Sequence, residues 1–476
     1  MIENPAKWLN KKRSAAALNY YINELNYKKG VELVLYRNPL HEVSISELLN
    51  LHEYARKVVG KHIEIEDTEK IAQAMLELDL GISKIDIGKL NSEWVENKDE
   101  FDSLEAFLKN ELSEFIGTPV EQKSVDVILY GFGRIGRLAA RALISMTGIG
   151  AQLRLRAIVT RDNSPATIQK RADLFRMDSV HGPFDGVIDV DSENRKLIIN
   201  GEEIHMIAAT DPFEIDYTEY GIMNALVIDN TGAWRDKAGL SKHVMAEGVD
   251  KVLLTAPGKE VPNLVYGVNH REYSPDENRL WSAASCTTNA IVPVLKVVDD
   301  NIGIQNGHIE TIHAYTNDQN LLDNMHKKHR RGRSAAINMV ITETGAASAV
   351  SKVMPHLKGK LTGSAVRVPT PNGSLAIINL NLTKSTTIEE LDEILRKAAL
   401  YGPLRNQIKY SIEKELVSND IIGNTCCSVY DSPATKLSED GRQAVLYIWY
   451  DNEFGYTQQV IRLAKYIMKC QRRIYD

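Results

Sequence analysis

The sequence predicts an α/β protein in which a doubly wound α/β domain follows an α-helical extension. Three observations carry this expectation. The chain of 476 residues is too long for one ordinary core, so two or three domains are expected. Helical periodicity with caps and glycine stops runs through residues 1 to about 124, and beyond it short apolar runs alternate with helix-like segments. The apolar run Val125–Tyr130 passes directly into Gly131-Phe132-Gly133-Arg134-Ile135-Gly136 and then into the helix-like stretch Arg137–Ile144.

In the extension, Ser44 and Glu47 form a possible capping box. Leu48, Leu51, Ala55, Val58 and Val59 then make one apolar face before Gly60. A second helix is expected from Asp67 to Leu80, stopped by Gly81. A third, Ser103 to Ile116, turns Leu104, Phe107, Leu108, Leu112 and Phe115 inward and ends at Gly117-Thr118-Pro119. Residues 1–124 hold 16 Lys plus Arg against 22 Asp plus Glu, whereas the remainder is balanced at 41 against 41. That acidity argues against a nucleic-acid arm, and Lys11-Lys12-Arg13 reads as a solvated helix start. No chemical motif stands out here.

The glycine run has the spacing of a Rossmann-type dinucleotide turn. Gly131 permits the tight turn, Gly133 lets a pyrophosphate approach the backbone, and Gly136 lets helix and strand pack closely. The phosphates would sit on the helix N-terminus. The next strand, Leu153–Val159, should end near the adenosine ribose, where a carboxylate accepts from the ribose hydroxyls in NAD sites. Here it ends in Thr160-Arg161, with Asp162 one place later. Arg161 could pair with a 2′-phosphate, which points to NADP, or Asp162 could reach back to the ribose and leave Arg161 solvated.

The second chemical feature is Ala284-Ser285-Cys286-Thr287-Thr288-Asn289, a thiol among small hydroxyl residues between an extended segment and a helix-like one. At a helix N-terminus, unpaired N–H groups and the macrodipole favour a thiolate, so a lowered thiol pKa is expected. Composition supplies the exclusions. With 43% hydrophobic and 25% charged residues the chain is that of a globular soluble protein. No apolar run nears the roughly 18–20 residues of a membrane span, and the start of the sequence lacks a signal-peptide core, so a cytoplasmic protein is expected. Four cysteines, two of them adjacent at Cys426 and Cys427, make neither a disulfide nor a zinc framework, and no metal is expected.

From Val125 onward the chain carries, in order, the glycine run, Asp178-Ser179-Val180-His181-Gly182, Ser285–Asn289, His313-Ala314-Tyr315-Thr316-Asn317-Asp318-Gln319, Thr344-Gly345-Ala346-Ala347, Lys360-Leu361-Thr362-Gly363, Arg367-Val368-Pro369-Thr370 and Trp449–Tyr456. In these motifs it resembles the phosphorylating glyceraldehyde-3-phosphate dehydrogenases. The resemblance implies that Cys286 attacks the aldehyde of glyceraldehyde 3-phosphate. The resulting thiohemiacetal gives a hydride to nicotinamide, and inorganic phosphate cleaves the thioester to 1,3-bisphosphoglycerate, reversibly, in glycolysis or gluconeogenesis. His313 matches the histidine that raises the thiolate fraction and moves protons. Residues matching Thr316, Asp318 and Arg367 surround the substrate phosphate; those matching Ser285, Thr287, Thr344 and Gly345, with Arg331 nearby, hold the attacking one. Asp318, as a carboxylate, more plausibly orients donors than touches phosphate. Arg134 and Ile135 match pyrophosphate positions, Thr255 lies in the strand before the cysteine, and Asn452 matches the residue at the nicotinamide carboxamide.

The implied organisation is a helical extension (1–124), an NAD(P)-binding Rossmann domain (125–285, completed by 453–476) and a mixed α/β catalytic domain (286–452), assembled as a homotetramer. Two departures from NAD-using members bear on the cofactor. Thr160 stands where they have aspartate, and Asn324-Met325 precedes His326 where they have a Leu-Pro or Ala-Pro pair. Both remove features that exclude a 2′-phosphate, so NADP is expected, in preference to NAD or alongside it. Alternatives are an erythrose-4-phosphate dehydrogenase, which hydrolyses its thioester with water, and an interaction protein acting through residues 1–124. Neither a membrane nor a nucleic-acid partner is expected.

Overall fold

The computed structural model describes residues 5–117, 124–146 and 152–476, so the expected helix stop at Thr118-Pro119 lies outside the described residues. The chain divides into two compact units. One comprises 1–124, 146–153 and 470–476; the other comprises 125–145 and 154–469.

In the first unit the expected helices are present, with shifted ends. Helix α1 (Pro5–Lys29) precedes α2 (Ile45–Tyr54), whose N-cap Ser44 accepts from the Glu47 N–H at 3.2 Å. A π-helical turn, Ala55–Val59, continues α2 to Gly60, which takes the left-handed conformation at φ 78°. Helix α3 (Ile65–Leu76) stops four residues short of Leu80. Helix α5 (Leu104–Glu111), capped by Ser103, gives way to a 3₁₀ turn, Ser113–Phe115.

The helices do not stand alone. Strands β1 (Val31–Leu35), β2 (Asn38–Pro39) and β3 (Ser83–Asp86) form a sheet in the order β2-β1-β3-β22, where β22 is Arg473–Tyr475 near the other end of the sequence. This corrects the assignment of all of 453–476 to the nucleotide domain. Strand β22 pairs parallel to β3, and Gln152 and Cys470 are hydrogen-bonded in the same unit. Asp86 closes this core. Its carboxylate caps α4 (Ile87–Asn97) through the Gly88 and Lys89 N–H groups and accepts from Tyr36 N–H at 3.0 Å. Tyr36 and Arg37 form the tight β1–β2 turn with φ 42° and 70°, strained values for side chains of that size.

The second unit contains two eight-stranded sheets. In the nucleotide sheet, β4 (Val125–Tyr130) lies between β5 (Leu153–Thr160) and β11 (Ala225–Asp229). Strands β12 (Val249–Leu254) and β13 (Leu280–Ser282) extend it on the β11 side, all in parallel. The far side ends in the antiparallel set β8 (Ile188–Asp191), β9 (Lys196–Ile199) and β10 (Glu202–Ala208). Strand reversal at β4 gives the doubly wound arrangement, with α6 (Arg134–Ile144) leaving the glycine turn. Helix α12 (Phe454–Ile467) packs on α6.

The second sheet is built on β14 (Ile304–Ala314), flanked by β16 (Leu361–Val368) in parallel and β17 (Ser374–Leu382) antiparallel, with β21 (Gln443–Tyr450) beyond. Helix α9 (Cys286–Asn301) packs against this sheet and buries Ala290, Ile291, Val292, Val294 and Leu295 among others. That burial fixes the cysteine end of the helix over the sheet edge where β14 ends.

Candidate active site

Ser285 is the N-cap of α9 and Cys286 its first residue; the Ser285 hydroxyl accepts from the Thr288 N–H at 3.1 Å. The turn into the helix is bent by Ala284, at φ 54°, a conformation costly for a residue with a Cβ. Its carbonyl accepts from the Tyr456 hydroxyl at 2.9 Å.

Strand β14 delivers His313 to the same place, with Nε2 at 3.6 Å from Cys286 Sγ. The register of β14 with β16 sets Arg367 directly beside His313. Arg367 Nη1 lies 2.6 Å from the Ala314 carbonyl, to which it donates, and 2.8 Å from His313 Nδ1. The imidazole is 2.7 Å from the same carbonyl through Nδ1. In the tautomer that donates Nδ1–H there, with Nη1 sharing the same carbonyl, Nε2 is bare toward the thiol. Tyr450 stands edge-on to the imidazole, 5.8 Å between centroids, and its hydroxyl is 3.2 Å from Thr287 Oγ1.

Burial, then the Arg367 charge, push the His313 pKa down to about 3, so the imidazole is neutral at physiological pH. The thiol departs from the sequence expectation. Burial pushes Cys286 above its ordinary range, against the opposing pull of Arg367 and of the backbone N–H groups at the helix start. The helix N-terminus is there as expected, but here desolvation outweighs it. The resting pair is a neutral S–H facing a neutral imidazole nitrogen.

The cleft around the pair has a volume of about 490 Å³ and is lined by Ser285, Thr287, Arg331, Thr344, Gly345 and Arg367, among others. Gly345 caps α10 (Ala346–Val353), and the Thr344 hydroxyl accepts from the Ala346 N–H. Arg331 is held by Asp318 and by Thr342 Oγ1, at 3.0 Å from the latter. Asp318 therefore orients a cation. Thr316 is exposed and is not among the cleft-lining residues. Sequence reasoning missed Arg235, Lys328 and Lys352, which add positive charge to the cleft wall, and Tyr450 and Ser374. Ser374 accepts from Ala314 N–H at 3.1 Å and donates to Asn452 Oδ1 at 2.8 Å, joining the histidine strand to Asn452. The alternation through β21 was the available signal for Tyr450; nothing local marked the lysines.

The glycine turn fits a dinucleotide. Gly131 has φ 95°, a Cβ on Gly136 would meet the Gly131 carbonyl oxygen at 2.3 Å, and the space beside Gly133 is open. Arg134 and Ile135 open α6, so their N–H groups lie in its first turn. The Arg134 guanidinium is otherwise engaged. It is bound by Asp178 at 3.0 and 3.1 Å and by Glu453, which also meets His181 Nε2 at 2.9 Å. Thr160 is buried, its hydroxyl donating to the Asp162 carbonyl, and Thr255 Oγ1 donates to the Asp229 carbonyl. Asp162 accepts from Ser164 and from Thr167 Oγ1, while Arg161 is exposed. Asn452 sits just past β21, beside Asp451, whose carboxylate accepts from Glu453 and Phe454 N–H groups.

A doubly wound dinucleotide domain joined to a sheet that presents a cysteine beside a histidine defines a nucleotide-dependent oxidoreductase. Comparison with known proteins narrows this. Residues 125–237 match the NAD binding domain of glyceraldehyde 3-phosphate dehydrogenase, and residues 285–452 match its C-terminal domain. A glyceraldehyde-3-phosphate dehydrogenase-like protein of Pseudomonas aeruginosa (strain UCBPP-PA14) is 51% identical over 449 residues, covering 93% of this chain and 96% of that protein. Glyceraldehyde-3-phosphate dehydrogenase 1 of Bacillus subtilis (strain 168) is 41% identical over 73% of this chain and 99% of its own length. Glyceraldehyde-3-phosphate dehydrogenase 2 of Trichormus variabilis (strain ATCC 29413 / PCC 7937) is 41% identical over 72% and 98%. The chain belongs to the glyceraldehyde-3-phosphate dehydrogenase family. The Pseudomonas match is too long to leave out the N-terminal unit, which the other two lack the length to cover. Among the described residues no helix is long and apolar enough to cross a membrane.

Proposed function

We propose that this chain is a phosphorylating glyceraldehyde-3-phosphate dehydrogenase, converting glyceraldehyde 3-phosphate, inorganic phosphate and NAD(P)+ to 1,3-bisphosphoglycerate. The observation that carries the reading is Cys286 Sγ at 3.6 Å from a neutral His313 Nε2, inside a cleft walled by Arg331, Arg367 and the α10 N-terminus. The thiol proton passes to Nε2 as Sγ attacks the aldehyde carbon, and the imidazolium returns it to the new alkoxide. His313 then takes the hydroxyl proton as the carbon is oxidised, leaving a thioester on Cys286. A nicotinamide held in the nucleotide domain would supply the hydride acceptor for that oxidation. A phosphate oxygen attacks the thioester carbon, and Cys286 leaves as thiolate and regains a proton from His313.

Charge makes the pair substrate-responsive. The Arg367 guanidinium opposes an imidazolium at His313 and favours a thiolate at Cys286, and a phosphate dianion drawn to Arg367 weakens both effects. Two anion-binding walls, one at Arg367 and one at the α10 N-terminus with Arg331, suit a phosphorylated substrate and an attacking phosphate.

Backbone N–H groups of Arg134 and Ile135 would hold the pyrophosphate, and Asn452, its Oδ1 fixed by Ser374, would donate its amide to the carboxamide. For NADP, the support is local. Asp162 is occupied by the Ser164 N–H and the Thr167 hydroxyl at the start of α7 (Pro165–Arg176), Thr160 replaces a carboxylate with a buried hydroxyl, and Arg161 is exposed and could face a 2′-phosphate. Large exposed apolar side chains at Leu321, Leu322, Met325, Ile337 and Met339 support subunit contacts in a homotetramer. The test is the initial rate of cofactor reduction with glyceraldehyde 3-phosphate, with NAD or NADP, each with and without phosphate. Phosphate-dependent turnover is expected, with higher efficiency on NADP. Phosphate-independent turnover would replace phosphorolysis by hydrolysis and favour erythrose 4-phosphate.

A further inference from the structure

Helix α1 is apolar on two opposite faces. Ala15, Leu18, Ile22 and Leu25 are buried within the unit, yet Leu9, Tyr20 and Tyr27 are 51%, 57% and 54% exposed. At 100° per residue, Leu9, Ala16, Tyr20 and Tyr27 fall within about 40° of one another, opposite the buried face, with Arg13 and Glu24 together on one flank. We propose that this face pairs with α1 of a second copy of the chain in an antiparallel, two-fold arrangement centred near residue 18.

That register makes the helix self-complementary. Leu9 meets Tyr27 of the second copy, and the small Ala16 meets the large Tyr20. An antiparallel pair brings like flanks together, so Arg13 of each copy meets Glu24 of the other and two ion pairs form symmetrically. Glu24 already pairs with Lys28 of its own helix, and its carboxylate keeps lone pairs for a second donor. A lipid surface is disfavoured because residues 1–124 carry 22 acidic against 16 basic side chains. A helix of 25 residues is about 37 Å long and its pair buries on the order of 800 Å² in total, below the roughly 1,200 Å² of a stable interface. The contact therefore acts between chains already brought together, and its readout is covalent capture.

The experiment uses the full chain in a Cys286→Ser background, the remaining cysteines being buried. Mild oxidation of the double variant Leu9→Cys/Tyr27→Cys should give a disulfide-linked dimer. Each single variant should give at least about fivefold less, because residues 9 and 27 of one helix are about 27 Å apart. Arg13→Glu should lower the yield several-fold, and adding Glu24→Arg should restore it. No cross-linking of the double variant, or equal cross-linking of Leu9→Cys alone, overturns the proposal; the latter would mean parallel pairing. A charge swap that fails to rescue also counts against it.

Discussion

Replacing Arg367 by leucine separates the guanidinium's effect on the Cys286–His313 pair from that of burial. Nη1 lies 2.8 Å from His313 Nδ1, and after burial the Arg367 charge is the largest cause holding the imidazole at about 3. Two like charges about 4 Å apart at an effective dielectric near 20 repel by roughly 4 kcal/mol, which is a ceiling. The whole shift from 6.5 to about 3 is worth about 5 kcal/mol, and burial is the larger cause, so the Arg367 share is below about 2.4 kcal/mol. The same charge favours the Cys286 thiolate, so its loss moves both groups upward. The assay is the rate of Cys286 alkylation by iodoacetamide against pH in the free enzyme, with the His313 imidazole followed by NMR. In Arg367→Leu the thiol midpoint should rise, so that alkylation at neutral pH slows severalfold, and the imidazole midpoint should rise with it. A midpoint that is unchanged or lower, in a protein with native circular dichroism, would refute the electrostatic account.

Cys286→Ser should lose nearly all dehydrogenase activity and keep its thermal midpoint; substantial residual turnover would rule out the covalent route. Gly136→Ala places a Cβ 2.3 Å from the Gly131 carbonyl oxygen and should destabilise by about 1–3 kcal/mol while raising the cofactor KM, whereas a variant with both unchanged would mean the turn has slack. His270 is buried, its Nδ1 accepts from the Gly267 N–H at 3.0 Å, and burial pushes its pKa down to about 4. Because the folded value lies below the unfolded one, the unfolded chain binds the extra proton first. Stability present above pH 6.5 is lost as pH falls toward 4, by about 3 kcal/mol. His270→Gln should flatten that slope in calorimetry at a series of pH values; parallel slopes for both proteins would show that other groups dominate.

The glycine turn was legible because each glycine answers a separate steric demand over six residues. The cysteine's place at a helix start was legible from its hydroxyl neighbours. What the sequence could not convey was long-range. Strand β1 reads as a short apolar run, but β3 is Ser83-Lys84-Ile85-Asp86, with no strand alternation, and exists because β1 and β22 flank it. The helix dipole was a local argument and was right about geometry. The balance at the thiol depends on burial, which no local stretch of sequence sets, so its direction had to come from the fold. Arg134 likewise reads as a phosphate ligand until Asp178 and Glu453, the latter 319 positions away, are seen to hold it.

The position of β22 bears on synthesis and on any attempt to dissect the chain. During translation β3 emerges from the ribosome with one edge unpaired, and that edge stays open through the production of nearly four hundred further residues, until Arg473–Tyr475 arrive. The sheet that holds β3 is therefore completed only after the strands of the second unit have been made. A deletion of residues 1–120 meant to isolate the dehydrogenase would strand β22 as an orphan segment, so an excision along the unit boundary also involves residues 146–153 and 470–476.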